Sequence, residues 1–203
     1  MQTNPHRRKL IVLEGIDGVG KTTLSHMLVE AFNRQKPGLA VRFEDLPFNN
    51  PTRTLRAHCQ NAGNQSAAML TYIVSAMMKD QLIRELLTTR HVIMDRFIYS
   101  ALAHHKAQGV DIDVLNLDHL PILRPDHSFL FLTDEPVRRA RLEARGNMTA
   151  GDRRVKSPGS ELEIIENCFR ELIETHVDTT PMTPEQTLQH ILELMNLRRP
   201  ASP

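Results

Sequence analysis

The sequence predicts an α/β fold in which a doubly wound, parallel sheet of five strands is covered by helices on both faces. Three observations support this class. Short apolar runs alternate with stretches of helical periodicity, the runs at 91–95 and 128–134 end in an acidic residue, and the first run passes through a glycine-rich turn into a helix. Ligands of such sheets bind at the carboxyl ends of the strands, so we expect the functional residues there.

Each strand and the longest helix follow from a local pattern. Apolar runs predict strands at 10–14, 39–43, 91–95, 128–134 and 176–179. The polar, proline-bearing residues 44–54 predict a loop. A long helix is predicted from Ala68 to about Leu87, and its apolar residues Leu70, Ile73, Val74 and Met77 share one face.

The carboxyl-terminal half shows clear helix starts and one long loop. A helix is predicted to start at Glu135-Pro136, because proline is tolerated in the first turn, and residues 165–173 mark another. Thr183 and Gln186 form a capping box that predicts the last helix. Between these helices, residues 146–160 are rich in glycine, proline and basic side chains, which predicts a mobile loop.

The segment LIVLEGIDGVGKTTL (10–24) predicts a phosphate-binding loop. Gly15, Gly20, Lys21 and Thr22 fit the G-x-x-x-x-G-K-[ST] pattern, and a strand precedes and a helix follows it. Lys21 is expected to reach the β and γ phosphates of a nucleotide, and the Thr22 hydroxyl to ligate Mg²⁺. The alternative, a flexible turn without a ligand, lacks this context. The expected nucleotide-binding set is Gly15, Asp17, Gly18, Val19, Gly20, Lys21, Thr22 and Thr23.

A second constellation, Asp95-Arg96, comes directly after the apolar run at 91–95. Parallel strands end at a common edge, so these residues are expected beside the glycine loop. Asp95 can hold Mg²⁺ through water, and Arg96 can bridge phosphate oxygens with two hydrogen bonds. A surface ion pair is the other interpretation.

Length and composition set limits on function and location. With 203 residues, 40% of them hydrophobic, the chain can form a single domain over residues 1–203, with disordered tails at 1–8 and 198–203. A net charge of +1 gives no reason to expect nucleic-acid or membrane binding. Cys59 and Cys168 lack metal-ligand spacing, and no signal or membrane span is apparent, so we expect a cytoplasmic protein.

At this point the sequence resembles the thymidylate kinase family of P-loop nucleoside monophosphate kinases. LEGIDGVGKTT matches the first motif of that family, DRFIYSALAHHKAQG resembles its Asp-Arg-[Tyr/His] segment, and RRARLEARG resembles the basic helix before its lid. VDTT and PEQTLQHI resemble its carboxyl end. The resemblance implies ATP and Mg²⁺ as cofactors, a nucleoside monophosphate such as dTMP as acceptor, a homodimer, and a lid at 146–160.

The resemblance also implies roles for individual residues. Asp17 would face the sugar hydroxyl of the acceptor, and Arg141 would lie against the adenine of ATP unless it is a solvated charge on a helix rich in arginine. The family supplies a catalytic arginine from the loop or the lid; because Gly18 leaves the loop without one, the role falls to Arg153 or Arg154, with Lys156 as a helper. A merely solvated lid is the alternative.

The sequence departs from the family where the acceptor binds. The family carries an arginine after the second strand, whereas this chain has Glu44 and Asp45, so Arg53 or Arg56 would have to substitute. Tyr72 keeps an aromatic residue expected to stack on the base, or packs on the core rim, but the arginine that reads thymine is missing. His104 and His105 are assigned no metal. The expected acceptor set is Asp17, Glu44, Asp45, Arg53, Tyr72, Arg96, Ser100 and His104.

Three other functions stay open on the sequence. A kinase with a hydroxyl acceptor, such as a deoxynucleoside, could use Glu44 or Asp45 as a base. A nucleotide-binding switch is a second possibility, although no Asn-Lys-x-Asp guanine reader occurs. A kinase fold that binds nucleotide without turnover is the third.

Overall fold

The computed structural model describes residues 8–146, 148–149 and 151–197. It contains a sheet of five parallel strands in the order β2-β3-β1-β4-β5. The strands are β1 (Leu10–Glu14), β2 (Ala40–Arg42), β3 (His91–Asp95), β4 (His127–Leu132) and β5 (Thr175–Asp178). The predicted doubly wound parallel sheet is confirmed. The predicted tails, apart from Arg8, and residues 147 and 150 of the predicted lid lie outside the described residues.

Seven α-helices are present among the described residues. Five correspond to the predicted helices, and two more lie at 52–61 and 98–107. The seven are α1 (Lys21–Gln35), α2 (Thr52–Asn61), α3 (Gln65–Leu86), α4 (Ile98–Ala107), α5 (Glu135–Ala144), α6 (Glu161–Leu172) and α7 (Pro184–Leu197). The capping box at the start of α7 forms in both directions. The Thr183 amide donates to Gln186 Oε1 at 2.8 Å, and the Gln186 amide donates to Thr183 Oγ1 at 3.2 Å. No helix within the described residues is long and apolar enough to cross a membrane.

The segment after β2 differs from its prediction as strand and loop. The strand ends at Arg42, because Phe43 opens a short 3-10 helix (Phe43–Asp45) that buries its ring. The predicted loop at 44–54 is wrong in part, since α2 begins at Thr52. Phe43 and Phe48 pack with ring centres 5.8 Å apart, so apolar contacts rather than strand pairing fix this turn.

The apolar stripe predicted on α3 is not the buried face of that helix. Leu70, Val74 and Met77 are 41–49% exposed, whereas Met69 and Ile73 are buried. The buried face also carries small residues, namely Ala68, Ser75 and Ala76. Small side chains allow α3 to approach its neighbours closely, and the larger apolar residues are left on the outside.

The central strand positions the site. Every residue of β1 is fully buried, and successive side chains enter two different clusters, Leu10 and Val12 in one and Ile11 and Leu13 in the other. Leu13 pairs with Asp95 in the parallel register, and the Arg96 amide donates to the Leu13 carbonyl at 3.0 Å. The ends of β1 and β3 are thereby held side by side, as predicted.

Candidate active site

The glycine loop passes from β1 into α1 through backbone conformations that favour glycine. Gly15, Gly18 and Gly20 have φ angles of 138°, 91° and 98°. A Cβ atom on Gly15 would lie 2.5 Å from the Phe131 carbonyl oxygen, so the loop approaches β4 too closely for a side chain. The first turn of α1 has no side-chain cap and no acidic residue, which leaves its N–H groups for an anion.

Lys21 begins α1 and is buried beneath the loop, with 5% of its surface exposed. Its Nζ atom donates to the Ile16 carbonyl oxygen at 2.8 Å. Burial, followed by the charge of Arg96, lowers the pKa of Lys21 to about 8. A buried ammonium with one carbonyl partner can exchange that contact for phosphate oxygens, which restore its charged form.

Thr22 and Asp95 meet beside the loop. The Thr22 hydroxyl donates to Asp95 Oδ2 at 2.5 Å, and Glu44 Oε1 accepts from the Asp95 amide at 3.2 Å. Burial raises the pKa of Glu44 to about 7, and the nearby charge of Asp95 acts in the same direction. A hydroxyl and a carboxylate fit Mg²⁺, which prefers oxygen ligands and completes its shell with water and phosphates. The two predicted metal ligands are therefore brought together.

Arg96 has an unusual backbone conformation, and three polar partners hold its side chain. It has a φ angle of 78°, which is unusual for a residue with a side chain. Its guanidinium donates to Ser100 Oγ at 3.0 Å and to the Gly15 carbonyl at 3.3 Å, and it pairs with Asp17. Asp17 and Arg96 are thus joined to each other, and the Asp95-Arg96 segment is not merely a surface pair.

The residue behind this pair is Glu14, which is fully buried at the end of β1. Its carboxylate accepts from the Phe97 amide at 2.7 Å, from the Ser100 amide at 3.2 Å and from the Ser100 hydroxyl at 2.5 Å. Burial raises the pKa of Glu14, and these hydrogen bonds oppose that effect. Glu14 therefore anchors the start of α4 and, through Ser100, the guanidinium of Arg96. The sequence analysis did not assign a role to Glu14, and its only signal was the position of an acidic residue at the end of an apolar strand.

A cavity of about 550 Å³ lies on the outer side of the glycine loop. Its walls include loop residues 17–23, so Val19 and Thr23 lie with the rest of the predicted nucleotide-binding set, together with Arg141, Thr179 and Met182. Arg141 donates to Thr179 Oγ1 at 2.9 Å and to the Thr179 carbonyl at 2.8 Å. Arg141 is not a freely solvated charge, because Thr179, directly after β5, holds its guanidinium in the cavity wall.

Basic and aromatic side chains from α2, α3 and α4 come together on a second side of the site. The guanidinium carbon of Arg56 lies 4.2 Å from the centre of the Tyr72 ring, and Tyr72 meets His105 edge to face at 5.6 Å. Burial, followed by the charge of Arg96, lowers the pKa of His104 to about 4, so this side chain is neutral at pH 7. Tyr72 therefore packs with Arg56 and His105, and the acceptor role of Tyr72 and His104 stays a prediction.

The remaining predicted acceptor residues are placed less favourably. Asp45 is bound to Arg42 at 2.7 Å, and this ion pair is on the surface. Arg53 is exposed, and its side chain forms no hydrogen bond or ion pair with any residue that the structure describes. Lys79, which the sequence reasoning missed, lies over the Phe43 ring with its Nζ atom 5.3 Å from the ring centre. Burial lowers the pKa of Lys79, Glu44 opposes that shift, and Arg56 adds to it.

The segment at 146–160 contains no helix or strand among its described residues. Arg154 pairs with Glu161 at 2.6 Å, and Lys156 pairs with Glu166 at 2.9 Å. The Arg153 side chain is exposed and forms no ion pair or hydrogen bond with any residue in the described part of the chain. Of the two predicted catalytic arginines, Arg153 is thus the one left free for a ligand.

Gly18 explains why the loop carries no arginine of its own. A Cβ atom there would lie 2.9 Å from the Cγ atoms of both Arg138 and Leu142, and the φ angle of 91° disfavours any side chain. Arg138 itself was missed by the sequence reasoning. It is almost completely buried, with 1% exposed, and it is the largest fully buried side chain found in the described residues.

A glycine loop that leads from β1 into α1, with Lys21 at the start of the helix and Thr22 bound to Asp95, is the arrangement of a P-loop kinase. Comparison with known proteins narrows this class. The thymidylate kinase family model matches residues 13–190, and the chain belongs to that family.

Individual relatives agree with this assignment. The chain is 30% identical over 195 residues to a probable thymidylate kinase of Thermococcus kodakarensis, which covers 90% of this chain and 89% of the relative. It is 28% identical over 185 residues to a probable thymidylate kinase of Methanocaldococcus jannaschii, with 90% and 93% covered. A solved thymidylate kinase structure from Candida albicans shares the fold, with a TM-score of 0.65 at 21% identity over 95% of this chain and 93% of that one. The predicted family, nucleotide kinase class, and ATP with Mg²⁺ are confirmed.

Proposed function

We propose that this chain transfers the γ-phosphoryl group of ATP to the phosphate of dTMP. The observation that carries the proposal is the position of Lys21 and Thr22 in the wall of a nucleotide-sized cavity, with Thr22 bound to Asp95. The cations Arg56 and Lys79 on α2 and α3 add a site for a second anion. A monophosphate is already anionic near neutral pH, so the reaction needs positioning and charge neutralisation rather than a general base.

The donor is held by the loop and by the cavity next to it. Loop amides and the Lys21 ammonium bind the β and γ phosphates, and the guanidinium plane of Arg141 lies against adenine. Thr22 and Asp95 hold Mg²⁺, which, when bound, neutralises charge on the phosphate oxygens. Arg153 reaches the transferred phosphoryl group from the lid, while Arg154 and Lys156 keep that segment attached to α6.

The acceptor phosphate is held by Arg56 and Lys79 in place of the arginine that the family carries after β2. Neither Arg56 nor Lys79 forms an ion pair with a carboxylate in the described part of the chain. Burial, together with the charge of Arg56, lowers the pKa of Lys79, and the charge of Glu44 opposes that shift. Two half-buried cations that repel each other gain stability from an anion between them. Arg96 completes this phosphate site, Tyr72 lies against the base, and Asp17, Ser100 and His104 lie at the sugar.

A coupled ADP-release screen tests the proposal. The enzyme with ATP and Mg²⁺ is supplied with each common nucleoside and each nucleoside monophosphate, and K21A is the control. We expect dTMP to give the fastest ADP release, with dTDP as product, and thymidine to give none. ADP release with no acceptor, or only with nucleosides, would contradict the proposal.

A second candidate is a hydroxyl acceptor, and one observation favours it. Glu44 lies beside Asp95, and its pKa of about 7 suits a general base. E44Q separates the two functions, because it should abolish transfer to a nucleoside and change transfer to dTMP by only a few-fold. D45N is the matched control, since Asp45 is bound to Arg42 at the surface.

We infer that the chain acts as a homodimer in the cytoplasm. The stripe of Leu70, Val74, Met77 and Met78 on α3 exposes four large apolar side chains at helical spacing, and such stripes are typical of protein interfaces. Light scattering should give the mass of a dimer for the wild type and of a monomer for V74E. A wild-type monomer at high concentration would contradict the dimer.

A further inference from the structure

The buried guanidinium of Arg138 on α5 is fully engaged by a carboxylate and two main-chain carbonyls. Nε donates to Glu135 Oε2 at 2.7 Å, and Nη2 donates to Glu135 Oε1 at 3.0 Å. A charge buried this deeply is strongly destabilising unless it is paired, and the two-fold contact with Glu135 supplies that pairing. The remaining donors reach outward from α5.

These outward contacts join two parts of the site that are far apart in sequence. Nη1 donates to the Asp17 carbonyl in the glycine loop at 3.1 Å, and Nη2 donates to the Arg154 carbonyl in the lid segment at 2.7 Å. Asp17 pairs through its side chain with Arg96, and Arg154 directly follows Arg153. One side chain therefore connects the acceptor arginine, the loop and the free lid arginine.

We propose that Arg138 is a positioning residue that sets the distance between the glycine loop and the lid arginine Arg153. It does not act on phosphate itself, because Glu135 neutralises its charge and α5 shields it from the cavity. Arg138 packs against Gly18, and its side chain leaves no room for an arginine in the loop. The same side chain binds the lid segment that carries Arg153. The kinetic consequence rests on the proposed phosphoryl transfer; the structural consequence does not.

Limited proteolysis tests the structural part without any acceptor. R138M keeps the aliphatic stem that packs on Gly18 and removes all donors. The Arg154 carbonyl then loses a charge-assisted hydrogen bond, and we expect trypsin to cleave after residues 153, 154 or 156 about tenfold or more faster. R139M is the matched control, because Arg139 is exposed and reaches Glu135 only at 4.0 Å. Equal cleavage rates in wild type and in a cooperatively folded R138M would overturn the proposal.

Kinetics with a double variant separates positioning from simple destabilisation. If Arg138 acts through Arg153, R138M lowers kcat and leaves the KM for ATP within a few-fold, and R138M/R153A is no slower than R153A alone. R138K, which can still donate to one or both carbonyls, should recover part of kcat. If the decrease in kcat in R138M/R153A equals the product of the decreases in the two single variants, the proposal is overturned.

A milder variant covers the case in which R138M does not fold. E135Q keeps the shape of the Glu135 side chain but removes the charge that orients Arg138, so trypsin cleavage of the lid should again rise. Unchanged cleavage in E135Q would overturn the proposal. A wild-type enzyme without turnover on any acceptor would remove the proposed function, whereas the cleavage comparison would still decide the role of Arg138.

Discussion

The donor side and the acceptor side of the site are organised differently. On the donor side, main-chain groups fix the geometry: three glycines shape the loop, Lys21 is bound to a loop carbonyl, and Arg141 is bound to the Thr179 carbonyl. On the acceptor side, side chains from α2 and α3 converge without carboxylate partners in the described residues, and Arg56 contacts an aromatic ring instead. The donor side is therefore preformed, whereas the cations of the acceptor side lack an anion to pair with in the part of the chain that the structure describes.

This difference indicates where the chain can vary without losing its chemistry. A loop defined by backbone angles admits few substitutions, because added side chains would meet Phe131 or α5. A site formed by long cationic side chains can take its cation from another helix position, and Arg56 and Lys79 lie on α2 and α3 rather than directly after β2. Variants of the two sides should accordingly fail in different ways.

The largest expected effect is on the donor side, at Lys21. K21A should abolish phosphoryl transfer, because the β and γ phosphates lose the only ammonium among the described cavity-lining residues. Turnover is measured by ADP release, and thermal unfolding should remain cooperative. K36A, an exposed change at the end of the same helix, is the control. Full activity in K21A would remove the glycine loop from the mechanism.

The next effect concerns the lid. R153A should lower kcat by about a thousandfold while the KM for ATP changes little, since the guanidinium acts on charge that develops in the transition state. R154A should cost roughly tenfold or less, because Arg154 pairs with Glu161 and acts through the segment. Steady-state kinetics of both variants decides the assignment. Unchanged kinetics in both would leave the lid without a catalytic arginine.

A smaller and different effect is expected on the acceptor side. R56A should raise the KM for the acceptor by about tenfold to a hundredfold, the value of one charge-assisted hydrogen bond, and should leave the KM for ATP unchanged. R53A, one helical turn earlier and exposed, should change neither constant. A rise in the KM for ATP in R56A would contradict the separate roles of the donor side and the acceptor side.

The smallest expected effect is the uptake of protons by Lys21 when a triphosphate binds. The pKa of Lys21 is about 8 in the ligand-free protein, below its ordinary value of 10.5, so above pH 8 the folded state carries fewer protons than the unfolded state. Stability due to this group therefore rises with pH between about 8 and 10.5. Triphosphate binding restores the charge, so at pH 8.5 it should take up part of a proton. Calorimetry in buffers of different ionisation enthalpy measures this uptake, and K21A should lack it.

The sequence revealed the donor side because its signals are local. Eight consecutive residues specify the glycine loop, and Asp95-Arg96 directly follows a strand. The missed residues depend on partners that only the fold provides: Glu14 binds Ser100 from 86 positions away, and Arg138 reaches Asp17 across 121 positions. The exposure of the apolar stripe on α3 could not be predicted for the same reason. Helical periodicity shows that apolar residues share a face, but not whether another element covers that face.

The tight packing of Gly18 on α5 limits how such an enzyme can diversify. An arginine introduced at position 18 would collide with Arg138, with Leu142 and with a main-chain carbonyl, and it would also need a backbone that glycine alone tolerates well. A loop with its own arginine at this position would therefore require smaller side chains at positions 138 and 142 as well, so the composition of α5 and that of the loop depend on each other.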